Sequence, residues 1–321
     1  MTYPFSIRRI LIVRTDRMGD LILSLPAVHA IRQGLPQAEI SLLVQSEIKP
    51  LLEGHPDLDR LLSTNSGLGK DWREILRTAA WLRRRSFDAI LVLNPTRAFH
   101  VASFLARIPV RVGYRRKWGF LLTHSMPDTK PLRNLHESQY NLELVRLLGI
   151  QPQNSPPTLP THPNGREEIE NLFRSHGVTS GRKLIAVHPW TSNPAKGWPL
   201  EGFWQVTRQL ESLGACALLI GKPSSPPDSG SVPSNAVNLV DRTPLGILPD
   251  LFRRCALLIS NDSGPVHIAA AVGTPTVVVA PAEHQPQMER WKPLGDRHQI
   301  LIAPEADAVF QAVKRALRCG S

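Results

Sequence analysis

One segment in the second half of the chain combines the residue types that bind a phosphate group. Residues 262–264 are polar or small, and Pro265 stands where the first turn of a helix should begin. The N–H groups at a helix start bind anions, Gly264 lets a phosphate approach the backbone closely, and Asp262 could accept a hydrogen bond from a sugar hydroxyl. The segment therefore predicts a site for a sugar phosphate. The alternative is an ordinary capped helix, with Ser263 or Asp262 as the cap and His267 packed inside.

A second candidate phosphate site follows the strand that the sequence predicts over residues 183–188. Thr191 and Ser192 offer hydroxyl groups there, and Lys196 adds one mobile positive charge. Short donors beside a single cation suit a diphosphate, although the segment is not the G-x-x-x-x-G-K-[ST] phosphate loop. The alternative for Lys196 is a lysine on a solvated loop.

A candidate acid lies directly after the first predicted strand, residues 9–14. Loops after strand ends line the ligand crevice of open α/β sheets, and Asp20 opens a helix in that position. Two interpretations remain open: Asp20 stabilises the helix N-terminus, or it faces the crevice as a general base.

The sequence gives no reason to expect a cofactor. No G-x-G-x-x-G follows the first strand, which argues against a dinucleotide. No D-x-D element stands beside a predicted strand end, and Cys216, Cys255 and Cys319 are far apart in the sequence, so we expect no bound metal and no disulfide. The histidines without ligand spacing are interpreted as structural or surface residues: His29, His55, His100, His284 and His298.

The elements that must position these residues alternate between strand and helix along the chain. Short apolar runs, typical of strands buried in a parallel sheet, occur at 9–14, 40–44, 88–93, 110–113, 183–188, 217–221, 256–260 and 276–280. Helical spacing of apolar residues occurs at 21–33, 71–85, 200–213, 245–254, 266–272 and 305–318. This alternation predicts the α/β class with doubly wound parallel sheets.

A Pro-rich segment divides the pattern into two similar halves. Residues 151–165 contain five prolines, which exclude a helix or a central strand and indicate an extended linker. We therefore predict an N-terminal Rossmann-like domain over 1–160 and a C-terminal one over 166–304, facing each other across a cleft. The last helix falls within 305–321.

The positive charge of the chain is concentrated in its first half. Residues 1–160 carry 22 Lys and Arg against 13 Asp and Glu, whereas residues 161–321 carry 16 against 14. Such a basic half attracts anionic lipids or phosphorylated glycolipids, although its basic clusters could also be solvated helix faces. Nucleic acid is not expected, because aromatic residues make up only 6% of the chain and no base-stacking motif occurs.

We expect neither a secretion signal nor a membrane-spanning segment. Residues 1–10 lack a long apolar run. The uncharged stretch 263–282 is interrupted by Pro265, Gly273 and Pro275, and therefore indicates a short helix, a turn and a strand rather than a membrane span.

Taken together, the candidate segments resemble glycosyltransferase family 9, the ADP-heptose:lipopolysaccharide heptosyltransferases. The matching blocks are 10–20 with 25–27, 196–199 with Thr191 and Ser192 upstream, 261–267 with 273–275, and a weaker one at 290–295. The resemblance implies a GT-B fold in which the final helix packs back on the first domain. It also implies that the second domain binds the donor and the first binds the acceptor, with inversion at the sugar and no metal.

The resemblance also assigns roles to individual residues of this sequence. Asp20 matches the family's general base, and Asp262 matches the acid that contacts the donor sugar. The donor-binding residues it implies are Thr191, Ser192, Lys196, Asp262, Ser263, Gly264, Pro265 and His267. No acceptor-binding residue is assigned. Residues 280–284 depart from the family's usual Gly-Pro-Thr-Asp-Pro-like turn, and 222–236 offers no acidic nucleotide contact that aligns, so sugar and nucleotide stay open.

The expected function is transfer of heptose from ADP-heptose to the inner core of lipopolysaccharide or a related anionic glycolipid. The expected place of action is the cytoplasm, at the inner face of the cytoplasmic membrane. Two alternatives use related features: a non-hydrolysing sugar-nucleotide epimerase, and a non-catalytic protein that binds a nucleotide sugar or glycolipid.

Overall fold

The computed structural model describes residues 6–65, 71–132, 135–178, 181–191, 197–223 and 232–318. The chain divides into two compact units, Met1–Thr158 and Leu159–Ser321. The division falls inside the Pro-rich segment 151–165.

The first unit is a parallel sheet flanked by helices. Its strands are β1 (Arg9–Val13), β2 (Glu39–Gln45), β3 (Arg60–Thr64), β4 (Ala89–Val92), β5 (Val110–Tyr114) and β6 (His124–Met126). Its helices are α1 (Met18–Ile22), α2 (Leu25–Gly34), α3 (Trp72–Arg85), α4 (Arg97–Leu105) and α5 (Glu137–Arg146). The strand order is β3-β2-β1-β4-β5-β6, and every pairing is parallel.

The second unit repeats this architecture. Its strands are β7 (Lys183–His188), β8 (Ala215–Leu219), β9 (Ala236–Asn238), β10 (Leu257–Asn261), β11 (Thr276–Ala280) and β12 (His298–Ile302). Its helices are α6 (Gly165–Ser175), α7 (Leu200–Gln209), α8 (Leu248–Arg254), α9 (Gly264–Ala271), α10 (Gln285–Trp291) and α11 (Ala306–Arg318). The strand order is β12-β11-β10-β7-β8-β9, again parallel throughout.

Numbered within its own unit, each sheet has the order 3-2-1-4-5-6 of the doubly wound dinucleotide-binding fold. The prediction of two Rossmann-like parallel sheets is therefore confirmed. In such a sheet the strand order reverses between the first and fourth strands, and ligands bind outside the carboxyl ends of the strands at this switch point. The two switch points here lie between β1 and β4 and between β7 and β10.

The buried strands explain why the sequence folds this way. All residues of β4, β10 and β11 are buried, as expected for strands that helices cover on both faces. The apolar side chains of β1 and β4 form one core with α3 and α4. Those of β7, β8, β10 and β11 form another with α7 and α11.

The last helix contributes to the core of the second unit, because its buried side chains belong to that cluster. The expectation that it also packs back on the first domain stays a prediction. Val309, Ala312 and Val313 are spaced three, then one residue apart, which places them on one helix face. That apolar face packs against the sheet of its own unit and against α7.

The helix expected over 21–33 is two helices, because the chain turns at Ser24. The buried hydroxyl of Ser24 donates to the carbonyl of Leu21 at 2.6 Å.

Cys216 and Cys255 are buried free thiols, and Cys319 lies outside the described residues. Within the described ranges, no helix is long and apolar enough to cross a membrane.

Candidate active site

At the switch point of the first sheet, hydrogen bonds join the loop after β1 to the loop after β4. The backbone N–H of Thr15, just after β1, donates to Oδ1 of Asn94, just after β4, at 3.3 Å. Nδ2 of Asn94 donates in return to Oγ1 of Thr15, also at 3.3 Å. These bonds fix the loop that carries Asp20 relative to the neighbouring strand.

A buried guanidinium organises the acids of this loop. Arg14 is only 2% exposed, and its Nε lies 2.8 Å from Oδ1 of Asp16. Its Nη2 lies 3.1 Å from Oδ1 of Asp20 and 3.2 Å from Oε1 of Glu137. One arginine therefore holds three carboxylates, two from its own loop and one from the start of α5.

A lysine completes the cluster from the other side. Nζ of Lys130 donates to Oε1 of Glu137 at 2.6 Å, and Glu137 is fully buried. Two cations thus lie beside three carboxylates. Burial of any one of these charges without its partners would be unfavourable. Burial lowers the pKa of Arg14, but Asp16, Glu137 and Asp20 together raise it above its usual value.

One member of the cluster has a raised pKa. The pKa of Asp16 is raised to about 6, first by burial and also by the like charges of Asp20 and Glu137, although the charge of Arg14 works in the opposite direction.

Asp20 itself lies in the first turn of α1, with its side chain 17% exposed and paired with Arg14. The helix interpretation and the catalytic one are both compatible with this position. What the structure adds is the buried arginine that fixes the carboxylate's orientation. Its role as a general base stays a prediction.

At the second switch point, the side-chain amide of Asn261 joins the loops that follow β7 and β10. Oδ1 of Asn261, the last residue of β10, accepts from the backbone N–H of Trp198 at 2.8 Å. Its Nδ2 donates to the carbonyl of Pro189 at 2.5 Å. Asn261 therefore ties the start of α9 to both ends of the loop that follows β7.

The N-terminus of α9 has no side-chain cap. Ser263 occupies the N-cap position, but its side chain makes no hydrogen bond to the helix. Its Oγ lies instead 3.1 Å from Oγ of Ser260 and 3.4 Å from Nδ1 of His188. Burial lowers the pKa of His188 to about 4, so the ring is neutral at pH 7. The interpretation of Ser263 as an ordinary cap is therefore wrong, and this helix start keeps the geometry of an anion site.

Gly264, Pro265 and His267 all belong to helix α9. Gly264 and Pro265 form the first turn of α9, which confirms the predicted helix start. His267 is buried, as the capped-helix interpretation expected. Its assignment to donor binding stays a prediction.

Asp262 is paired with a histidine that the sequence analysis did not place in the site. Nε2 of His284 lies 2.7 Å from Oδ2 of Asp262, and both side chains are largely buried. His284 ends the 3₁₀ turn Ala282–His284 directly after β11. Of the two interpretations, structural or surface residue, its burial and this pairing exclude the surface one. The available signal was its place after a strand end, within the segment 280–284.

The loop after β7 is described in part. Thr191 is half-buried at its start, and Nε1 of Trp190 donates to the carbonyl of Ile220 at 3.1 Å. Gly221 has a φ of +130°, and a Cβ there would lie 2.1 Å from Trp190. Ser192 and Lys196 lie outside the described residues, as do residues 224–231, so their predicted donor contacts stay predictions.

Two parallel sheets of the 3-2-1-4-5-6 order place the chain in the class of two-domain α/β proteins with the GT-B fold. The family described as glycosyltransferase family 9 (heptosyltransferase) matches residues 75–317. The chain belongs to this family and is a glycosyltransferase.

Individual proteins agree with this assignment. Lipopolysaccharide heptosyltransferase 3 of Escherichia coli K12 is 26% identical over 274 residues, which cover 81% of this chain and 78% of that one. A glycosyltransferase family 9 structure from Veillonella parvula superposes with a TM-score of 0.89 at 20% identity over 99% of both chains. The E. coli ADP-heptose lps heptosyltransferase II structure gives 0.80 at 20% identity, over 97% of this chain and 99% of that one. The structural similarities establish the fold.

Proposed function

We propose that this glycosyltransferase transfers heptose from ADP-heptose to the inner core of lipopolysaccharide or a related anionic glycolipid, with inversion and without a metal ion. The observation that carries the proposal is the pair of switch points: an acid held by a buried arginine in one unit, and an uncapped helix start in the other. The similar heptosyltransferases support heptose as the sugar.

The second unit is proposed to bind the donor. The backbone N–H of Gly264 and the positive end of α9 are proposed to bind the diphosphate, because Pro265 has no N–H and the N–H of Val266 donates to the carbonyl of Ser263 at 3.1 Å. The Ser263 side chain turns toward His188 and makes no hydrogen bond to the helix. Thr191, Ser192 and Lys196 are proposed to contact the phosphates, and Asp262 the sugar, with His284 fixing its carboxylate. Negative charge that builds on the departing ADP is stabilised by the helix start and Lys196, which is the work a metal would otherwise do.

The first unit is proposed to supply the base. Asp20 takes the proton of the acceptor hydroxyl, and the oxygen forms its bond to the anomeric carbon as the bond to the ADP oxygen breaks. Attack on the face opposite the leaving group inverts the configuration. Arg14 is the positioning residue, because it orients the Asp20 carboxylate without touching either substrate. The family match begins at residue 75, so the role of Asp20 rests on this geometry and on the motif around it.

The test measures ADP release from ADP-heptose in the presence and absence of a lipopolysaccharide inner-core acceptor, with the products separated by mass. Acceptor-dependent ADP release together with a heptosylated acceptor is expected. An epimerised donor without any acceptor would favour the epimerase alternative, and tight donor binding without ADP release would favour the binding protein. UDP-N-acetylglucosamine serves as the control donor and should give no transfer.

We also propose that the enzyme works at the cytoplasmic face of the inner membrane, where a basic unit attracts an anionic acceptor. The excess of 22 Lys and Arg over 13 Asp and Glu in residues 1–160 supports this location. Activity on the glycolipid acceptor should therefore fall with rising salt, whereas donor binding should change less.

A further inference from the structure

The first unit exposes a cluster of aromatic side chains. Trp72, Trp118 and Phe120 are 50%, 42% and 75% exposed, and Leu76, one turn after Trp72 on α3, is also exposed. Trp118 contacts both other rings: its ring centroid lies 6.1 Å from that of Trp72 and 5.8 Å from that of Phe120. Clustered exposed aromatics, unlike scattered ones, indicate a surface that contacts something apolar.

The backbone that presents Trp118 is held in an uncommon conformation. Lys117 and Trp118 have φ values of +49° and +70°, in the left-handed region that side chains rarely adopt. The carbonyl of Lys117 lies 3.0 Å from Nδ1 of the buried His100. Beside them, a Cβ on Gly119 would lie 2.6 Å from the carbonyl oxygen of Tyr114. The surrounding structure therefore enforces the turn that keeps Trp118 at the surface.

Positive charges surround the aromatic side chains. The guanidinium of Arg97 lies over the Trp72 ring, 5.6 Å from its centroid. Arg115 and Lys117 are exposed in the same turn as Trp118, while Arg116 is paired with Asp128 at 2.7 Å. Aromatic rings with flanking cations match the interface of an anionic bilayer, where rings enter the headgroup layer and cations meet phosphates.

The cluster lies at the same edge of the sheet as Asp20. Trp72 begins α3 after β3, Arg97 begins α4 after β4, and the turn with Trp118 follows β5. Because the strands are parallel, these segments all lie at the carboxyl edge, which is also the edge where Asp20 follows β1. A bilayer contacted by this cluster would therefore lie on the side where the acid meets its acceptor.

We propose that Trp72, Trp118 and Phe120 form a membrane-contact surface that enters the headgroup layer of an anionic bilayer, with Arg97, Arg115 and Lys117 contacting lipid phosphates. The inference that this surface brings a membrane-anchored acceptor to Asp20 rests on the proposed function. The contact itself does not, because it can be measured without donor or acceptor.

The experiment is co-sedimentation of the full chain with vesicles of phosphatidylcholine and phosphatidylglycerol, and with phosphatidylcholine alone. The double variant Trp118→Ser/Phe120→Ser should bind the anionic vesicles at least about tenfold more weakly, because it removes the two apolar rings that enter the headgroup layer. The matched control is Phe104→Ser, another exposed aromatic of the first unit at the far end of α4, which should bind as the unaltered chain does. Thermal melting checks that both variants fold.

A charge variant tests the second half of the surface. Arg115→Glu/Lys117→Glu should abolish the preference for anionic vesicles, whereas Arg84→Glu/Arg107→Glu, an equal charge change at the amino edge of the sheet, should leave it largely intact. Equal binding by both charge variants, or unchanged binding by Trp118→Ser/Phe120→Ser, would overturn the proposal.

Two other occupants give distinct results. If the rings bind the acceptor's sugars instead, Trp118→Ser/Phe120→Ser will raise the KM for a deacylated acceptor that cannot enter a bilayer. If they bind a second copy of the chain, the variant will lower the mass measured by sedimentation. Either result overturns the membrane assignment. Vesicle binding without heptose transfer would leave it standing and refute the proposed function.

Discussion

The two switch points share one backbone topology and differ in chemistry. In the first unit, five ionisable side chains form one cluster: Arg14, Asp16, Asp20, Lys130 and Glu137. In the second, the loops are joined through the neutral amide of Asn261. Ser263 contacts the ring of His188, and burial lowers the pKa of that ring to about 4.

This difference indicates how one fold supports two tasks. In the first unit, a network of ion pairs fixes an acid in one orientation. This arrangement suits a group that must accept a proton at a defined position. A neutral frame leaves the positive end of a helix as the dominant local field, which suits an anionic ligand. If the two sites divide the work in this way, substitutions in the first should lower kcat and substitutions in the second should weaken donor binding.

The largest expected effect concerns the acid. Asp20→Asn should lower kcat by roughly 10²–10⁴-fold, the range a positioned base contributes, while the Kd for donor changes little. Asp16→Asn is the matched control, because it removes another carboxylate paired with Arg14 and should reduce kcat much less. Steady-state kinetics and donor titration measure the two quantities. A larger loss for Asp16→Asn would make Asp16 the base, and a parallel loss of donor binding would point to a structural role for Asp20.

The arginine that holds the cluster should matter for stability. Arg14→Met removes the buried cation that contacts both Glu137 and Asp16, so the free energy of unfolding should fall by about 3–5 kcal/mol. Arg9→Met is the control, because Arg9 pairs with Glu39 near the surface and should cost about 0–1 kcal/mol. Urea denaturation measures both. Similar values for the two variants would mean that the buried cluster contributes no more than a surface pair.

A smaller effect is expected from the histidine of the second site. His284→Ala removes the partner of Asp262, and the donor KM should rise about tenfold because that carboxylate loses its fixed orientation. His298→Ala is the control: it removes another partly buried histidine of the same unit, bonded to the carbonyl of Leu294, away from Asp262. An unchanged donor KM in His284→Ala, or an equal rise in His298→Ala, would remove the pair from the donor site.

The parts of the fold that the sequence predicted and those it missed differ in burial. The predicted strands are the eight inner ones, whose residues are mostly apolar and mostly buried. The four that were missed, β3, β6, β9 and β12, are the edge strands of the two sheets. Their residues are mostly half-buried or exposed, so they lack the continuous apolar run that marks a strand in the sequence.

The same limit explains the missed site residues. Asp20 and Asp262 follow inner strands closely, and their positions could be predicted from the strand alone. Glu137 reaches its partner from an element far away in the sequence: it begins α5, which the sequence did not predict, and lies 123 residues from Arg14. His284 lies 22 residues from Asp262, in the turn after the neighbouring strand β11. Only the folded sheet brings these partners together.

The smallest expected effect tests the uncapped helix. An N-cap serine that bonds to its helix contributes about 1 kcal/mol, but Ser263 does not bond to its helix. Ser260 and His188, which its hydroxyl contacts, also contact each other at 3.3 Å, so Ser263→Ala should lower the free energy of unfolding by less than about 0.5 kcal/mol. Asp71→Ala is the comparison, because Oδ1 of Asp71 accepts from the N–H of Glu74 at 2.8 Å at the start of α3. It should cost about 1 kcal/mol. A loss for Ser263→Ala as large as that for Asp71→Ala would mean that the hydroxyl caps α9 in solution, and the start of α9 would then no longer be available to a diphosphate.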